Sequence, residues 1–360
     1  MRNAVSVGDV LLSRYVGKQP RYLPVVLMFL TNRCNLRCRM CGLYNLPEEA
    51  RSAESELSTD GWKGVIDSAV RLHAAMVSMS GGEPLVRRDF VELIAYARER
   101  GLAVHICTNG TMMNEERARA LGGAGVNAVS VSLDSPDREE HDALRGPGNF
   151  DKAVNAVRLL RAHAPDAQVG INYLITAQNF RNMVRMPAFA ESLDAQQLKL
   201  APIHTNLLHS AKPEDDFGPL LFSPEQVNAL EAEIERLIPL LQHSRLLTTS
   251  AAFLRGIPQF YRAPKPFRCF AGYGVCAVDP HGNVAPCCDM DGPFSVREKP
   301  LHEIWRSPEF ARMRRQVRAC DKPCWDTTNT ELSLRLRPGA LAAEALRTWR
   351  DLGFYYGDRS

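Results

Sequence analysis

Three thiols on one short loop set the first chemical constraint. Cys34, Cys38 and Cys41 follow one another at spacings of four and three residues, directly after the apolar run Val25 to Leu30. Iron-sulfur cubanes usually take four cysteines, so three donors leave one iron open to a ligand from outside the protein. An open iron can hold and activate a small molecule. A structural zinc knuckle instead wants four tetrahedral ligands in a closed site. No fourth donor stands nearby, because Tyr44 is not a typical zinc ligand and the nearest histidine, His73, lies beyond a whole predicted helix.

The chain has ten cysteines, and six of them fall between 269 and 324: Cys269, Cys276, Cys287, Cys288, Cys320 and Cys324. The first twenty residues lack the apolar core and cleavage site of a secretory signal, so a cytoplasmic location and reduced thiols are expected. Clustered thiols in a reducing compartment point to metal rather than disulfides. The turn Asp279-Pro280-His281-Gly282 fits a hairpin between two short strands that brings Cys269 and Cys287 to one end, with Cys320 and Cys324 closing the site. Four cysteines would also satisfy a structural zinc. Cys276 and Cys288 stay open as extra or alternate ligands, or as a substrate-facing opening of the cluster. Cys107, alone in an apolar strand, reads as a small buried hydrophobe.

The elements that must position these groups are legible from periodicity. Six β-rich runs, each followed by a helical pattern, cover Val25 to Leu30, Met76 to Ser80, Ala103 to Thr108, Ala128 to Asp134, Val169 to Thr176 and Gln197 to Ile203. Near-continuous apolar runs fit parallel strands covered on both faces, in a barrel or a wide open sheet. Ser58 and Thr59 predict the start of a helix over Trp62 to Leu72, and Asn114 that of one over Glu115 to Leu121. In such folds chemistry gathers beyond the carboxyl ends of the strands. Ser80-Gly81-Gly82-Glu83-Pro84, Thr108-Asn109-Gly110-Thr111 and Ser132-Leu133-Asp134 all lie there. Each polar residue among them has a plain alternative as a turn or helix cap.

Beyond the barrel pattern, residues 206–263 read as a bridge with an amphipathic helix at Pro224 to His243. The expected division is an N-terminal extension over 1–21, a core over 22–205, that bridge, a cysteine-rich domain over 264–326, and a helical basic tail over 327–360. The bulk numbers agree with a globular fold: 360 residues, 45% of them apolar and 24% charged. The net charge of +3 comes from 44 basic and 41 acidic residues mixed along the chain, so no nucleic-acid footprint is expected. No apolar stretch approaches the roughly 20 residues of a membrane span.

The spacing of Cys34, Cys38 and Cys41, with Met40 at its hydrophobic position, resembles the radical S-adenosylmethionine (radical SAM) superfamily. That resemblance implies an α/β fold, a partial (β/α)6 TIM-like barrel with a small C-terminal cysteine-rich auxiliary cluster domain. It also implies a [4Fe-4S] cluster whose open iron takes the amino and carboxylate groups of S-adenosylmethionine. Reductive cleavage would then yield a 5'-deoxyadenosyl radical that removes a substrate hydrogen. Gly81, Gly82, Glu83 and Pro84 match the GGEP segment that meets the methionine ammonium, with Glu83 as acceptor. Thr108, Asn109, Ser132, Asp134 and Asn172 stand where the family reaches the ribose and carboxylate, and Arg145 resembles an arginine that pairs with that carboxylate. The later cysteines resemble the twitch form of the SPASM domain, which implies one auxiliary [4Fe-4S] cluster on Cys269, Cys287, Cys320 and Cys324. An electron donor such as flavodoxin or ferredoxin is implied as partner.

The substrate is less legible. A peptide-modifying relative often carries an added N-terminal winged domain, and the segment before Val25 is too short for one, so the expectation leans toward a small-molecule or lipid-like substrate. Modification of a ribosomal peptide is the alternative within the family. A non-catalytic iron-sulfur electron carrier would explain the thiols but not the GGEP segment. His204, His209, Tyr273, Asp289 and Asp291 are weaker candidates for the barrel mouth or substrate, and His281 and Asp279 are expected to serve their turn.

Overall fold

In the computed structural model, which describes residues 2–203, 218–263, 267–290, 292–322, 324–337 and 339, helix α1 (Arg2–Val16) precedes a regular alternation. It runs β1 (Val25–Phe29), α2 (Thr59–Arg71), β2 (Met76–Ser80), α3 (Phe90–Glu99), β3 (Ala103–Thr108), α4 (Glu115–Gly123) and β4 (Ala128–Ser132). It continues through α5 (Arg138–Arg145), α6 (Asn149–His163), β5 (Gln168–Ile175), α7 (Met186–Ser192) and β6 (Gln197–Pro202). Then come α8 (Pro224–His243), β7 (Leu247–Thr248), α9 (Ala251–Arg262), β8 (Val275–Val278), β9 (Asn283–Ala285) and β10 (Phe294–Ser295), and last α10 (Leu301–Arg306), α11 (Pro308–Arg318) and α12 (Asn329–Arg335).

The strands form one sheet in the order β10-β9-β8-β1-β2-β3-β4-β5-β6-β7. Pairing from β1 to β7 is parallel throughout, as in Val25 opposite Met76 and Gly170 opposite Gln197. The architecture is the partial TIM-like barrel. Strands alternate faces, and here the alternation separates a packed face from a partly open one. Val26, Met28, Val77, Met79, Val104 and Ile106 are fully buried on the outer face under the helices. The intervening residues of β1, Val25, Leu27 and Phe29, are only half-buried and face the barrel interior.

Helix starts follow local chemistry. Ser58 accepts from the Gly61 amide and Asn114 from the Arg117 amide, while Ser223 and Gln226 form a reciprocal capping box at α8. Strand β4 stops at Ser132, two residues short of the expected end, because Asp134 leaves the ladder and accepts the Leu174 amide on its own carboxylate. Helix α1 and the two-residue β7 are additions to the sequence reading. The auxiliary hairpin adds to the barrel sheet, with Val25 opposite Val275. No described helix is long and apolar enough to cross a membrane. His204, His209, Asp291 and parts of the bridge and tail lie outside the described residues.

Candidate active site

The cysteine loop is seated from below by a buried charge network. Glu56, 5% exposed, accepts the Thr31 hydroxyl, and the guanidinium groups of Arg33 and Arg87 donate to it at 3.0 Å each. The GGEP turn supports the same loop through its backbone. Gly82 N–H donates to Thr31 O at 2.7 Å and Glu83 N–H to Arg33 O at 3.0 Å. A Cβ on Gly82 would lie 2.2 Å from Arg33 O, and Gly81 sits at φ +131 with its imagined Cβ 2.4 Å from Thr31 O. Both positions therefore need glycine for close approach to the loop.

Cys34, Cys38 and Cys41 border a cavity of about 230 Å³ whose other walls include Met40, Gly81, Gly82, Thr108, Asn109, Ser132 and Arg145. The donor chemistry fits an iron-sulfur cluster with one open side: three thiols on one flank, and backbone, amide, hydroxyl and guanidinium groups on the other. Asn109 Nδ2 donates to Cys34 Sγ at 3.8 Å. Burial pushes the Cys38 thiol up, and Arg145 opposes that shift. Metal binding would reverse it, since the thiolate is the ligand. Among the described residues no three Cys, His, Asp or Glu side chains close on a single ion.

Three expected cofactor residues stand behind the cavity wall. Asp134 is fully buried, and its Oδ2 accepts from Arg145 Nε at 2.5 Å, so it aims the guanidinium that lines the cavity. Burial works against that cation, but Asp134 prevails and holds Arg145 above its ordinary range. Glu83 is also fully buried; it accepts the Thr108 hydroxyl at 2.8 Å and the Asn109 and Leu85 amides at 2.7 and 3.2 Å. Burial raises its pKa against those three donors. An ammonium would have to share a carboxylate already occupied this way. Pro84 opens a short buried turn.

A second cavity, about 490 Å³, runs through the barrel and shares Met40, Ser80 and Cys107 with the first. Its polar lining includes Ser78, His105, Asn172 and Lys199. Cys107, expected as a plain core residue, lies at the junction of the two spaces, with Asn172 Nδ2 donating to its sulfur at 3.8 Å. His105 sits 2.9 Å from both the Ser78 and Ser130 hydroxyls, and burial, with Lys199, holds it well below the usual imidazole range, hence neutral. The signal for this lining was polar residues at alternate positions of apolar strands.

Cys269, Cys287, Cys320 and Cys324 border a third, smaller cavity. Burial pushes the thiols of Cys269 and Cys287 up to about 12, a shift that metal binding would reverse, since the thiolate is the ligand. Cys276 is elsewhere, fully buried on β8 within the main core. Cys288 turns away from its neighbour Cys287 and lines the barrel cavity with Asp326 and Thr328. Asp289 borders the third cavity, whereas Tyr273 is buried against Arg14. Asp279 accepts the His281 and Asn283 amides in its turn, and His281 reaches Asn32 of the cysteine loop at 3.3 Å.

Two family models match the chain. The radical SAM superfamily model covers residues 28–186, and SPASM, an iron-sulfur cluster-binding domain, covers residues 269–326. The PqqA peptide cyclase of Rhodopseudomonas palustris is 30% identical over 336 residues, spanning 90% of this chain and 85% of that protein. An AdoMet-dependent heme synthase of Nitratidesulfovibrio vulgaris is 30% identical over 320 residues, spanning 82% and 83%. The fold of Streptococcus suis SuiB, in its structure bound to precursor peptide SuiA, superposes with a TM-score of 0.66 at 14% identity, over 91% of this chain and 74% of that one. The chain thus belongs to the radical SAM superfamily, as an enzyme with a C-terminal SPASM domain whose cofactors are [4Fe-4S] clusters and S-adenosylmethionine.

Proposed function

We propose that this enzyme modifies a ribosomally made peptide in the cytoplasm. Cys34, Cys38 and Cys41 would hold the [4Fe-4S] cluster that binds S-adenosylmethionine, and Cys269, Cys287, Cys320 and Cys324 the auxiliary one. The bound cofactor supplies a primary carbon radical strong enough to remove hydrogen from an unactivated carbon. Within the chain, Arg145, held by Asp134, would receive a carboxylate. Asn109 and Ser132 would offer polar contacts on the same wall, and the barrel cavity would hold the reacting side chain beyond Met40, Ser80 and Cys107. A one-electron donor such as flavodoxin or ferredoxin would supply the reductant.

The observation that carries the peptide reading is the lining of that cavity, taken with the peptide cyclase among the relatives. The heme synthase relative makes a tetrapyrrole the natural small-molecule competitor, and tetrapyrroles carry several carboxylates. Among the described lining residues the barrel cavity offers one cation, Lys199, beside one anion, Asp326. Such a balance suits an amino-acid side chain better than a polyanionic macrocycle. These findings support the peptide alternative over the small-molecule leaning of the sequence. The test is anaerobic incubation of reconstituted enzyme, S-adenosylmethionine and dithionite with short peptides encoded beside the gene, read by mass spectrometry. A peptide losing hydrogen in step with 5'-deoxyadenosine formation supports the proposal. Unchanged peptides, with 5'-deoxyadenosine formation stimulated by a small metabolite or porphyrin, overturn it.

A further inference from the structure

The sheet does not close on itself: β7, paired only with β6, is one free edge and β10 the other, which leaves a seam between β7 and the auxiliary hairpin strands β8 to β10. The chain that fills this seam is the stretch after the last cysteine. Trp325 donates its indole N–H to Phe253 O at 3.0 Å and packs so closely on α9 that a Cβ at Gly256 would meet its ring at 1.9 Å. Asp326 Oδ1 then accepts the Thr328 and Asn329 amides at 2.7 and 2.6 Å, starting α12. Thr327, Thr328 and Leu332 face the barrel cavity, while Asn329 borders the auxiliary cavity.

One side chain ties this wall to the β7 edge. Glu331, 7% exposed, accepts the Ser250 amide at 2.9 Å and the Ser250 hydroxyl at 2.8 Å, and Arg335 donates to it at 2.8 Å. Ser250 follows β7 and caps α9. On the auxiliary side, Phe270 N–H donates to Ser333 Oγ at 3.3 Å, one residue beyond Cys269. The wall therefore hangs between the auxiliary cysteines and the Glu331–Ser250 clasp.

We infer that Glu331 is a positioning residue for the substrate cavity: it clasps the segment Asp326–Leu332 into the barrel seam, so that filling the auxiliary site through Cys320 and Cys324 orders the wall the substrate meets. The inference rests on the reading that Cys269, Cys287, Cys320 and Cys324 hold a cluster. The clasp makes the coupling two-sided. With both ends fixed, Thr327, Thr328 and Leu332 have one placement; with either end released, the stretch keeps its Trp325 and Ser333 contacts but the residues between them lose that single placement.

The test is hydrogen exchange on the reconstituted full chain, with iron content and S-adenosylmethionine affinity measured in parallel. Glu331→Ala and the milder Glu331→Gln should keep the iron content and change that affinity less than twofold. Amides of 326–336 and 249–253 should exchange about tenfold faster or more in Glu331→Ala, with central strands β2 to β5 unchanged. Cys320→Ala/Cys324→Ala should lose about four irons per chain and free the same wall. Adding Glu331→Ala to that pair should speed exchange of the wall by much less than it does in the loaded protein, a non-additivity that simple local destabilisation would not produce. Unchanged exchange in both Glu331 variants overturns the clasp. Iron loss without faster exchange overturns the coupling. Full iron retention by the cysteine pair instead overturns the auxiliary-site reading and leaves the clasp standing.

Discussion

Glu83→Gln separates two roles for the glutamate of the GGEP turn. In the structure the carboxylate receives three donors: the Thr108 hydroxyl, the Asn109 amide and the Leu85 amide. An amide side chain keeps one acceptor oxygen and gains an NH2. If the oxygen takes the Thr108 and Leu85 position, the NH2 faces the Asn109 N–H; if it is turned over, Leu85 loses its acceptor. Either way one buried backbone N–H is left unpaired, which costs about 1–3 kcal/mol. Removing a buried charge gives part of this back, because burial raises the Glu83 pKa. The expected net loss at neutral pH is about 1 kcal/mol.

The pH dependence follows from linkage. An acid whose folded pKa is raised binds its proton more tightly in the folded state, so its contribution is fully present below the unfolded value of 4.5 and fades as pH rises through the folded one. The gap between wild type and Glu83→Gln should therefore widen as pH falls from neutral toward 4.5. Urea unfolding of the reduced, cluster-free chain between pH 4.5 and 7.5 measures it. Calorimetry on the loaded protein gives the companion number, and S-adenosylmethionine affinity should fall less than tenfold. A variant as stable as wild type at every pH, yet with affinity reduced by more than tenfold, would refute this reasoning and return Glu83 to the cofactor.

Three further outcomes are expected. Gly82→Ala forces a Cβ to within 2.2 Å of Arg33 O, and it should cut iron bound through Cys34, Cys38 and Cys41 while the auxiliary iron stays, as read from EPR and iron analysis of reconstituted protein. His141 accepts the Asp134 amide on Nδ1 at 3.1 Å, and burial lowers it from 6.5 to about 4. Its stabilising contribution is therefore complete above 6.5 and lost as pH falls toward 4, worth up to about 3 kcal/mol; His141→Asn should flatten that slope in urea unfolding. Cys276→Ala should keep all iron and lower stability by about 1–2 kcal/mol through lost packing, whereas Cys287→Ala should lose auxiliary iron, both read by metal analysis and unfolding.

Local chemistry made most of the scaffold readable. The capping signals at Ser58 and Asn114 sit directly before the helix starts they mark, and the six long strands carry enough consecutive apolar residues to declare themselves. Helix α1 and strand β7 did not. The first mixes Gly8 and four valines, all weak helix formers, into its fifteen residues, and the second is two residues whose pairing with β6 exists only once the sheet is assembled.

The same contrast runs through the site. Spacing alone brings Cys34, Cys38 and Cys41 to one cavity, because the eight residues they span leave them little else to do. It says nothing about Asp134 and Glu83, whose sequence positions suit cofactor contact but whose carboxylates already accept, in Asp134, Arg145 and, in Glu83, two donors at the end of β3 and one from its own turn. The barrel lining was in the pattern nonetheless. Ser78 and Ser80, His105 and Cys107, Asn172 and Lys199 interrupt apolar strands two residues apart or singly, all on one face. A fully covered parallel strand has no reason to place such groups inward unless the interior is a space to be filled by something polar. Substituting Asn172 and Lys199 by leucine should then leave S-adenosylmethionine affinity intact and abolish turnover of the substrate. Loss of cofactor affinity instead would mean that the two cavities are one site.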